Sequence, residues 1–92
     1  MNLTMKFNPS IEQALVAEAK SGDLEAFNQL VSTYQDVVFQ HAYALLGDQD
    51  LAEDAAQEAF IKAFQNIASF RGGSLRAWLL TIVTNMAYDF LR

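Results

Sequence analysis

The sequence predicts an all-α protein, a compact bundle of about four helices. Apolar residues recur at steps of three and four along most of its 92 residues, which is the spacing of one face of a helix. Glycines and capping residues separate these stretches, and no stretch alternates polar and apolar residues as a strand would. A chain of this length suffices for one domain. We therefore expect an N-terminal tail over 1–9 and one domain over 10–92.

Capping residues define the first helix. Ser10, with Gln13 three residues later, has the pattern of a capping box directly after a proline. The Ser-Gly pair at 21–22 is a typical stop signal. The sequence thus predicts a helix over 11–20.

The second helix is long and has one apolar side. Asp23 is its predicted N-cap, and Gly47 ends the apolar pattern. The residues expected to face the core are Phe27, Leu30, Val31, Tyr34, Val37, Val38, His41, Ala42 and Leu45.

Two further helices follow, separated by an irregular segment at 68–74. Asp50 and Glu53 form a predicted capping box at the start of helix three. The buried stripe of that helix is predicted as Ala52, Ala55, Ala56, Ala59, Phe60, Ala63, Phe64 and Ile67. Ser74 is expected to cap helix four, whose core face is predicted as Leu75, Trp78, Leu79, Ile82, Val83, Met86, Ala87 and Phe90.

Composition and charge narrow the possible functions. The net charge of −5 argues against a protein that coats duplex DNA by itself, because phosphate neutralisation supplies most non-specific affinity. Residues 1–58 hold ten acidic residues and two lysines, whereas residues 59–92 hold one acid and four basic residues. The absence of cysteine excludes disulfides and thiolate metal sites, and no apolar run is long enough to span a bilayer. Residues 1–10 lack a secretory signal pattern, so a cytoplasmic location without a membrane partner is expected.

Acidic and amide side chains on the outer side of helix three carry the first functional signal. Spacing of four residues places Asp50, Asp54 and Glu58 in a row, with Gln57 beside them. Acids in a first helical turn also favour the helix dipole, which explains Asp50, Glu53 and Asp54 without any partner. That explanation does not cover Gln57, Glu58 or the neighbouring Ile61. An acidic rim around an apolar residue is typical of a helix that docks on a basic protein surface.

The second signal is the glycine loop and the exposed side of helix four. Gly72 and Gly73 permit positive φ and close approach of the backbone to a ligand. Hydroxyl, amide, phenol and guanidinium groups can bind base edges and phosphates, and an aromatic ring can stack on an unpaired base. The side chains of this kind are Arg71, Arg76, Thr81, Thr84, Asn85, Tyr88 and Arg92. Asn85 is the least easily explained by folding alone, since asparagine is unfavourable inside a helix. This mixture suits single-stranded nucleic acid, although Trp78 is expected in the core and Ser74 mainly as a cap.

From about Phe27 to Arg92 the chain resembles region two of bacterial RNA polymerase sigma factors, in the extracytoplasmic-function group. Three features carry the resemblance: the stretch Leu51–Phe60, Phe70 before the glycine loop, and a spaced set of residues in helix four. That set is Trp78, Leu79, Ile82, Asn85, Asp89 and Arg92. Residues 10–26 look like the short leading helix of the same domain.

The resemblance implies a division of labour between the two surfaces. In this family the acidic helix binds the clamp-helix coiled coil of the largest subunit of core RNA polymerase. That role falls here on Asp50, Glu53, Asp54, Gln57, Glu58 and Ile61. The loop and the next helix capture the non-template strand of the minus-ten promoter element, with a flipped base held in a loop pocket. The matching residues are Phe70, Arg71, Gly72, Gly73, Ser74, Arg76, Thr81, Asn85, Tyr88 and Arg92.

The resemblance also implies what the chain does not do. Polymerase supplies the catalysis, so this chain is expected to be no enzyme and to need no cofactor or metal. Anti-sigma proteins commonly cover the same surfaces and are a further implied partner.

Two departures from the family pattern affect these expectations. Family members often carry a basic residue near the middle of the last helix, where this chain has Thr81 and Thr84, so its own affinity for DNA is expected to be weak. The family usually continues into a helix-turn-helix domain for the minus-thirty-five element, whereas this sequence stops at Arg92. The chain is therefore either truncated or an unusually short protein, and a last helix that ends without a cap favours truncation.

Two other classes of protein remain as alternatives. A helical metalloenzyme needs inward-facing Glu-x-x-His pairs, but the only histidine is His41, on the apolar side of helix two, where a packed and hydrogen-bonded core residue is expected. A helical protein-interaction module without DNA binding is the stronger alternative, because the acidic helix alone would suffice for it.

Overall fold

A computed structural model describes residues 9–92 of the chain. Within that range there are four α-helices and no strand, which confirms the all-α prediction. The helices are α1 (Pro9–Lys20), α2 (Leu24–Leu46), α3 (Gln49–Gln65) and α4 (Leu75–Leu91). The predicted tail over 1–9 lies outside the described residues apart from Pro9, which already belongs to α1.

The start of α1 differs from its prediction. The helix begins at Pro9, so Ser10 lies inside the first turn and is not the residue that precedes the helix. Proline is favoured at the first helical position, because the N–H that it lacks would have no partner within the helix there. The predicted capping box of Ser10 with Gln13 is therefore wrong.

The end of α1 and the start of α2 follow the predicted signals. Gly22 has a φ of +100°, and its N–H donates to the carbonyl of Ala19, while the N–H of Asp23 donates to the carbonyl of Glu18. This pair of bonds is a Schellman motif, which glycine permits at positive φ. Asp23 then caps α2, since its Oδ1 accepts from the N–H of Ala26 at 3.2 Å.

The connection between α2 and α3 consists of two residues. Gly47, with a φ of +69°, ends α2 and donates its N–H to the carbonyl of Tyr43. Asp48 follows in an extended conformation and caps α3 by accepting from the N–H of Leu51 at 3.0 Å. The predicted cap, Asp50, lies in the first turn of the helix, so that prediction is wrong by two residues.

The chain divides into two compact units, one reaching Thr33 and the other running from Tyr34 to Arg92. Within the second unit, α3 packs on α4, and the buried side of α3 is made of small side chains. The buried residues of α3 are Ala52, Ala55, Ala56, Ala59 and Ala63. On α4 they are Leu75, Leu79, Val83 and Ala87. Every residue predicted for the core of helices two to four is buried or half-buried, although Ile67 belongs to a short 3₁₀ turn (Ile67–Ser69) and not to α3.

Candidate functional site

The outer surface of α3 is formed by acidic and amide side chains. All six residues predicted to contact a protein partner are exposed, namely Asp50, Glu53, Asp54, Gln57, Glu58 and Ile61. We call this set the acidic surface. Ile61 is 53% exposed and places an apolar side chain among these charges. Among the residues that the structure describes, none forms an ion pair or side-chain hydrogen bond with these acids.

The acidic surface contains charge repulsion that folding does not relieve. Asp50, Asp54 and Glu58 follow one another at steps of four residues, so neighbouring carboxylates lie on the same side of the helix. Like charges at this spacing cost roughly 0.2–0.5 kcal/mol per pair. Only Asp50 lies in the first turn, where the helix dipole compensates. A basic partner would remove this repulsion, whereas a solvated surface leaves it in place.

Backbone and side-chain hydrogen bonds shape the segment that joins α3 to the glycine loop. Asn66 ends α3 and donates its amide Nδ2 to the carbonyl of Lys62 at 2.8 Å. Its own carbonyl accepts from the N–H and the hydroxyl of Ser69, at 2.9 and 2.7 Å. The N–H of Phe70 then bonds to the carbonyl of Ile67. The chain therefore enters the loop in a defined direction.

Phe70 lies in the core, at the base of the loop. Its side chain is only 7% exposed, and its ring contacts the Trp78 ring with centroids 5.3 Å apart and planes tilted by 52°. This arrangement suits an aromatic pair. In this conformation the Phe70 ring packs against Trp78 and anchors the start of the loop. Its contact with DNA remains a prediction.

Gly72 and Gly73 form the exposed part of the loop. Their φ values are +97° and +80°, in the region that residues with a Cβ rarely adopt. An added Cβ would meet no atom within 4 Å at either position. The loop therefore requires glycine because of its backbone conformation and not because space is short. Arg71 is exposed beside these glycines.

The start of α4 agrees with its prediction. Ser74 is extended and its Oγ accepts from the N–H of Ala77 at 3.0 Å, so it is the N-cap. Arg76 is exposed in the first turn. Both residues lie next to the loop, and their contact with DNA remains a prediction.

The exposed side of α4 carries an amide, a phenol and a hydroxyl. Asn85 is exposed, Tyr88 is 51% exposed, and Thr81 is exposed one turn before them. The Thr81 hydroxyl donates to the carbonyl of Ala77 at 3.0 Å, which leaves its oxygen free to accept a further bond. Together with Gly72, Gly73, Arg71 and Arg76, these residues form what we call the polar surface.

Thr84 does not belong to the exposed polar surface, contrary to the sequence prediction. It is half-buried, its Oγ1 lies 2.9 Å from His41 Nε2, and its hydroxyl donates to the carbonyl of Leu80 at 2.7 Å. His41 is likewise half-buried, which confirms the prediction of a packed, hydrogen-bonded histidine. Pattern reasoning missed this pair because its members lie 43 residues apart in sequence.

Arg92 is already paired within the chain. Its Nη2 lies 3.1 Å from Asp89 Oδ1, and both side chains are largely exposed. An exposed pair of this kind contributes little to stability and is readily exchanged. Contact of Arg92 with a phosphate would replace this pair, and it too remains a prediction.

The described part of the chain also bears on two other classes of site, membrane-spanning helices and metal centres. No helix in residues 9–92 combines the length and the apolar character needed to cross a membrane. Nor does this part of the chain bring together three or more His, Cys, Asp or Glu side chains that could hold a metal ion.

Comparison with known proteins places the chain in a family. Residues 30–92 match the family described as Sigma-70 region 2. The chain is 42% identical over 78 residues to the ECF RNA polymerase sigma factor SigW of Bacillus subtilis, covering 84% of this chain and 42% of SigW. It is 41% identical over 81 residues to the ECF RNA polymerase sigma-E factor of Escherichia coli, covering 87% of this chain and 42% of that protein.

Two solved structures are similar over most of the chain. An engineered region 2 of sigmaE, determined by NMR in complex with GTAAAA, superposes with a TM-score of 0.82 and 33% identity, covering 97% of this chain and 90% of that one. CnrH in complex with the cytosolic domain of CnrY superposes with a TM-score of 0.78 and 30% identity, covering 86% of this chain and 52% of CnrH.

The match has a defined extent. The chain spans about 42% of the length of SigW and of the E. coli sigma-E factor. Family match, sequence identity and fold all agree over the unit that contains both surfaces. The chain belongs to the sigma-70 region 2 family, in its extracytoplasmic-function group.

Proposed function

We propose that this chain is the part of a transcription initiation factor that binds core RNA polymerase and captures the minus-ten promoter element. The acidic surface of α3 binds the clamp helices of the largest subunit. The loop and the polar surface of α4 hold the non-template strand. A factor of this kind works in the cytoplasm and performs no catalysis itself, since the polymerase makes the RNA.

The observation that carries the proposal is the likeness to the sigmaE region 2 bound to GTAAAA, at 33% identity over 97% of this chain. The polar surface adds a chemical reason. Asn85 and Tyr88 are exposed and available for base edges and for stacking on unpaired bases, which contributes roughly 1–3 kcal/mol per base. Unpairing a base costs a few kcal/mol, so binding the flipped base can nucleate strand opening without ATP hydrolysis.

The distribution of charge supports the assignment of the protein partner to α3. A chain with a net charge of −5 gains little from phosphate attraction alone, so the strand must be presented to it within a larger basic assembly. The acidic surface provides the attachment to that assembly, because its carboxylates have no cationic partner among the described residues.

One experiment tests both halves of the proposal. The 92-residue chain is immobilised and exposed to purified core RNA polymerase, and then to fluorescent GTAAAA and its single-base variants at fixed salt concentration. We expect core binding, and oligonucleotide binding that depends on both core and base sequence. Core binding without any oligonucleotide selectivity would remove the DNA half of the proposal. A folded chain that binds no core would overturn the first half.

A helical protein-interaction module is the second candidate, and the acidic surface favours it because that surface alone would suffice. The complex of CnrH with the cytosolic domain of CnrY is an example of a similar chain held by another protein. Binding to core without oligonucleotide selectivity would favour this candidate.

A further inference from the structure

A hydrogen bond between His41 and Thr84 joins α2 directly to α4 within the unit Tyr34–Arg92. His41 Nε2 and Thr84 Oγ1 are 2.9 Å apart, and both residues are half-buried. No contact with a ligand or partner is needed to explain the bond, so its role lies in how it holds the helices.

The direction of this bond follows from the second bond that Thr84 makes. A hydroxyl has one hydrogen to donate, and the Thr84 hydroxyl donates it to the carbonyl of Leu80 at 2.7 Å. Its oxygen must therefore accept from His41, so the hydrogen of that bond is carried by Nε2. Nε2 carries a hydrogen both in this neutral tautomer and in the imidazolium, and the bond is compatible with either form.

Thr84 lies at the boundary between the buried and the exposed sides of α4. Val83 before it is fully buried, and Asn85 after it is exposed. Tyr88 lies one turn after Thr84, on the same side of the helix as Thr84. Any rotation of α4 that moves Thr84 therefore moves Asn85 and Tyr88 by a comparable amount.

The hydrogen bond adds a directional contact to the apolar packing of α4. Its buried side consists of Leu79, Val83 and Ala87 after the first turn, and burial of apolar surface is non-directional. A hydrogen bond, in contrast, weakens steeply when its angle departs from linear. Side chains extend about 5–6 Å from the helix axis, so a rotation of about 20° would move Asn85 and Tyr88 by about 2 Å.

We propose that the His41–Thr84 bond fixes the rotation of α4 about its axis and thereby orients Asn85 and Tyr88 toward the captured DNA strand. His41 and Thr84 are then positioning residues that touch no nucleotide. This inference rests on the proposed function, because it assigns a role within strand capture.

The test compares variants of the 92-residue chain bound to core RNA polymerase, with fluorescent GTAAAA as the probe. His41→Leu combined with Thr84→Val replaces both polar partners by apolar ones of similar size, a change that is close to neutral for stability. We expect this variant to unfold at the same temperature as the parent and to bind core equally well. We expect it to bind GTAAAA about tenfold more weakly and to discriminate less against single-base variants, because orientation is lost.

Conservative variants and a stability control separate positioning from folding. Thr84→Ser keeps the hydroxyl, and His41→Gln keeps an amide donor near the position of Nε2, so both should retain strand binding. Thr84→Val alone serves as a second variant if the double variant unfolds. Asp23→Ala removes the N-cap of α2 and lowers stability without touching either residue, so it should leave strand binding unchanged.

The outcomes distinguish this inference from the function on which it rests. If the parent binds GTAAAA and a folded Thr84→Val or double variant binds it equally tightly, the positioning role is overturned while the proposed function stands. If the parent itself binds core but no strand, the proposed function fails first, and the inference falls with it.

Discussion

Helices α3 and α4 have the same length, 17 residues each, and pack against each other, but they expose different chemistry. The acidic surface of α3 carries charges that have no partner among the described residues. On α4, the hydroxyls of Thr81 and Thr84 bond within the helix, and Arg92 is paired with Asp89. The first surface is suited to attraction by charge and the second to contact in a fixed geometry. A partner protein and a nucleic-acid strand make these two different demands.

The largest effect is expected from removing the centre of the acidic surface. Asp54→Ala with Gln57→Ala should weaken binding to core RNA polymerase by about 100-fold or more, because a basic partner surface would be left without its counter-charge and hydrogen-bond acceptor. Interferometry with immobilised chain measures this. Gln35→Ala with Asp36→Ala removes the same two side-chain types from exposed positions of α2 and should change nothing. Equal losses from both pairs would contradict the assignment of α3.

The next effect concerns the polar surface. Asn85→Ala with Tyr88→Ala should weaken capture of GTAAAA by about 10- to 100-fold, through loss of a stacked ring and an amide contact, while core binding is retained. Fluorescence anisotropy in the presence of core measures it. Gln40→Ala with Tyr43→Ala is the matched control, since these exposed residues of α2 are likewise an amide and a tyrosine three positions apart. If the folded Asn85→Ala, Tyr88→Ala variant also lost core binding, the assignment of core binding and strand binding to two separate surfaces would be contradicted.

The loop that precedes α4 offers a test of backbone conformation alone. Gly72→Ala should destabilise the fold by about 1–2 kcal/mol, because its φ of +97° disfavours a Cβ although no atom lies within 4 Å of it. Gly72→Asn should cost less, since asparagine tolerates positive φ better. Thermal unfolding followed by circular dichroism ranks the three chains. Equal stability of the alanine variant and the parent would show that the loop adapts freely.

The start of α3 separates a cap from a charge on the acidic surface. Asp48→Ala should destabilise by about 1 kcal/mol, because the N–H of Leu51 loses its acceptor. Asp50→Ala should change stability little, because the lost helix-dipole interaction is offset by relief of the repulsion from Asp54, but it should weaken polymerase binding more than Asp48→Ala does. Chemical unfolding should therefore rank Asp48→Ala as the more damaging change, and a core-binding assay should rank Asp50→Ala as the more damaging one. The same ranking in both assays would contradict this expectation.

The smallest effect has an unusual sign. Asp54→Asn removes one member of the like-charge row while keeping shape, so it should stabilise the free chain by about 0.5 kcal/mol at low salt. The same change should weaken polymerase binding. Unfolding measured at low and at high salt tests whether repulsion is the cause. Salt screens the repulsion between carboxylates, so the gain in stability should disappear at high salt. Destabilisation at low salt would mean that Asp54 has a favourable partner.

The order of the helices and their buried sides could be predicted from the sequence, because apolar spacing and glycine stops are local signals. Asp23, Gly47 and Ser74 were identified correctly for that reason. The cap of α3 was predicted wrongly, because both Asp48 and Asp50 can cap a helix. Glu53 completes a capping-box pattern with Asp50, and the prediction therefore favoured Asp50. The decisive signal was available, since Gly47 ends the pattern of α2 and Asp48 is the next residue able to cap a helix.

Contacts between distant residues limited prediction of the site. The exposure of Asn85, Tyr88 and Ile61 follows from helical spacing and was predicted correctly. Thr84 lies three residues after Thr81, a helical spacing that predicts the same exposed side. Its environment depends instead on His41 of α2, which no local sequence pattern reveals. Phe70 was assigned to DNA contact through the family resemblance. Its contact with Trp78 could not be predicted from the sequence around either residue.

The buried side of α3 consists of five alanines, and α3 packs on α4. Small side chains allow helix axes to approach to about 8 Å, the short end of the usual range. Under the proposed function, this contact would keep the polymerase-binding and the strand-binding surfaces at a constant separation. Enlarging one alanine, for example by Ala59→Leu, would overpack this buried side and would change that separation or lower stability.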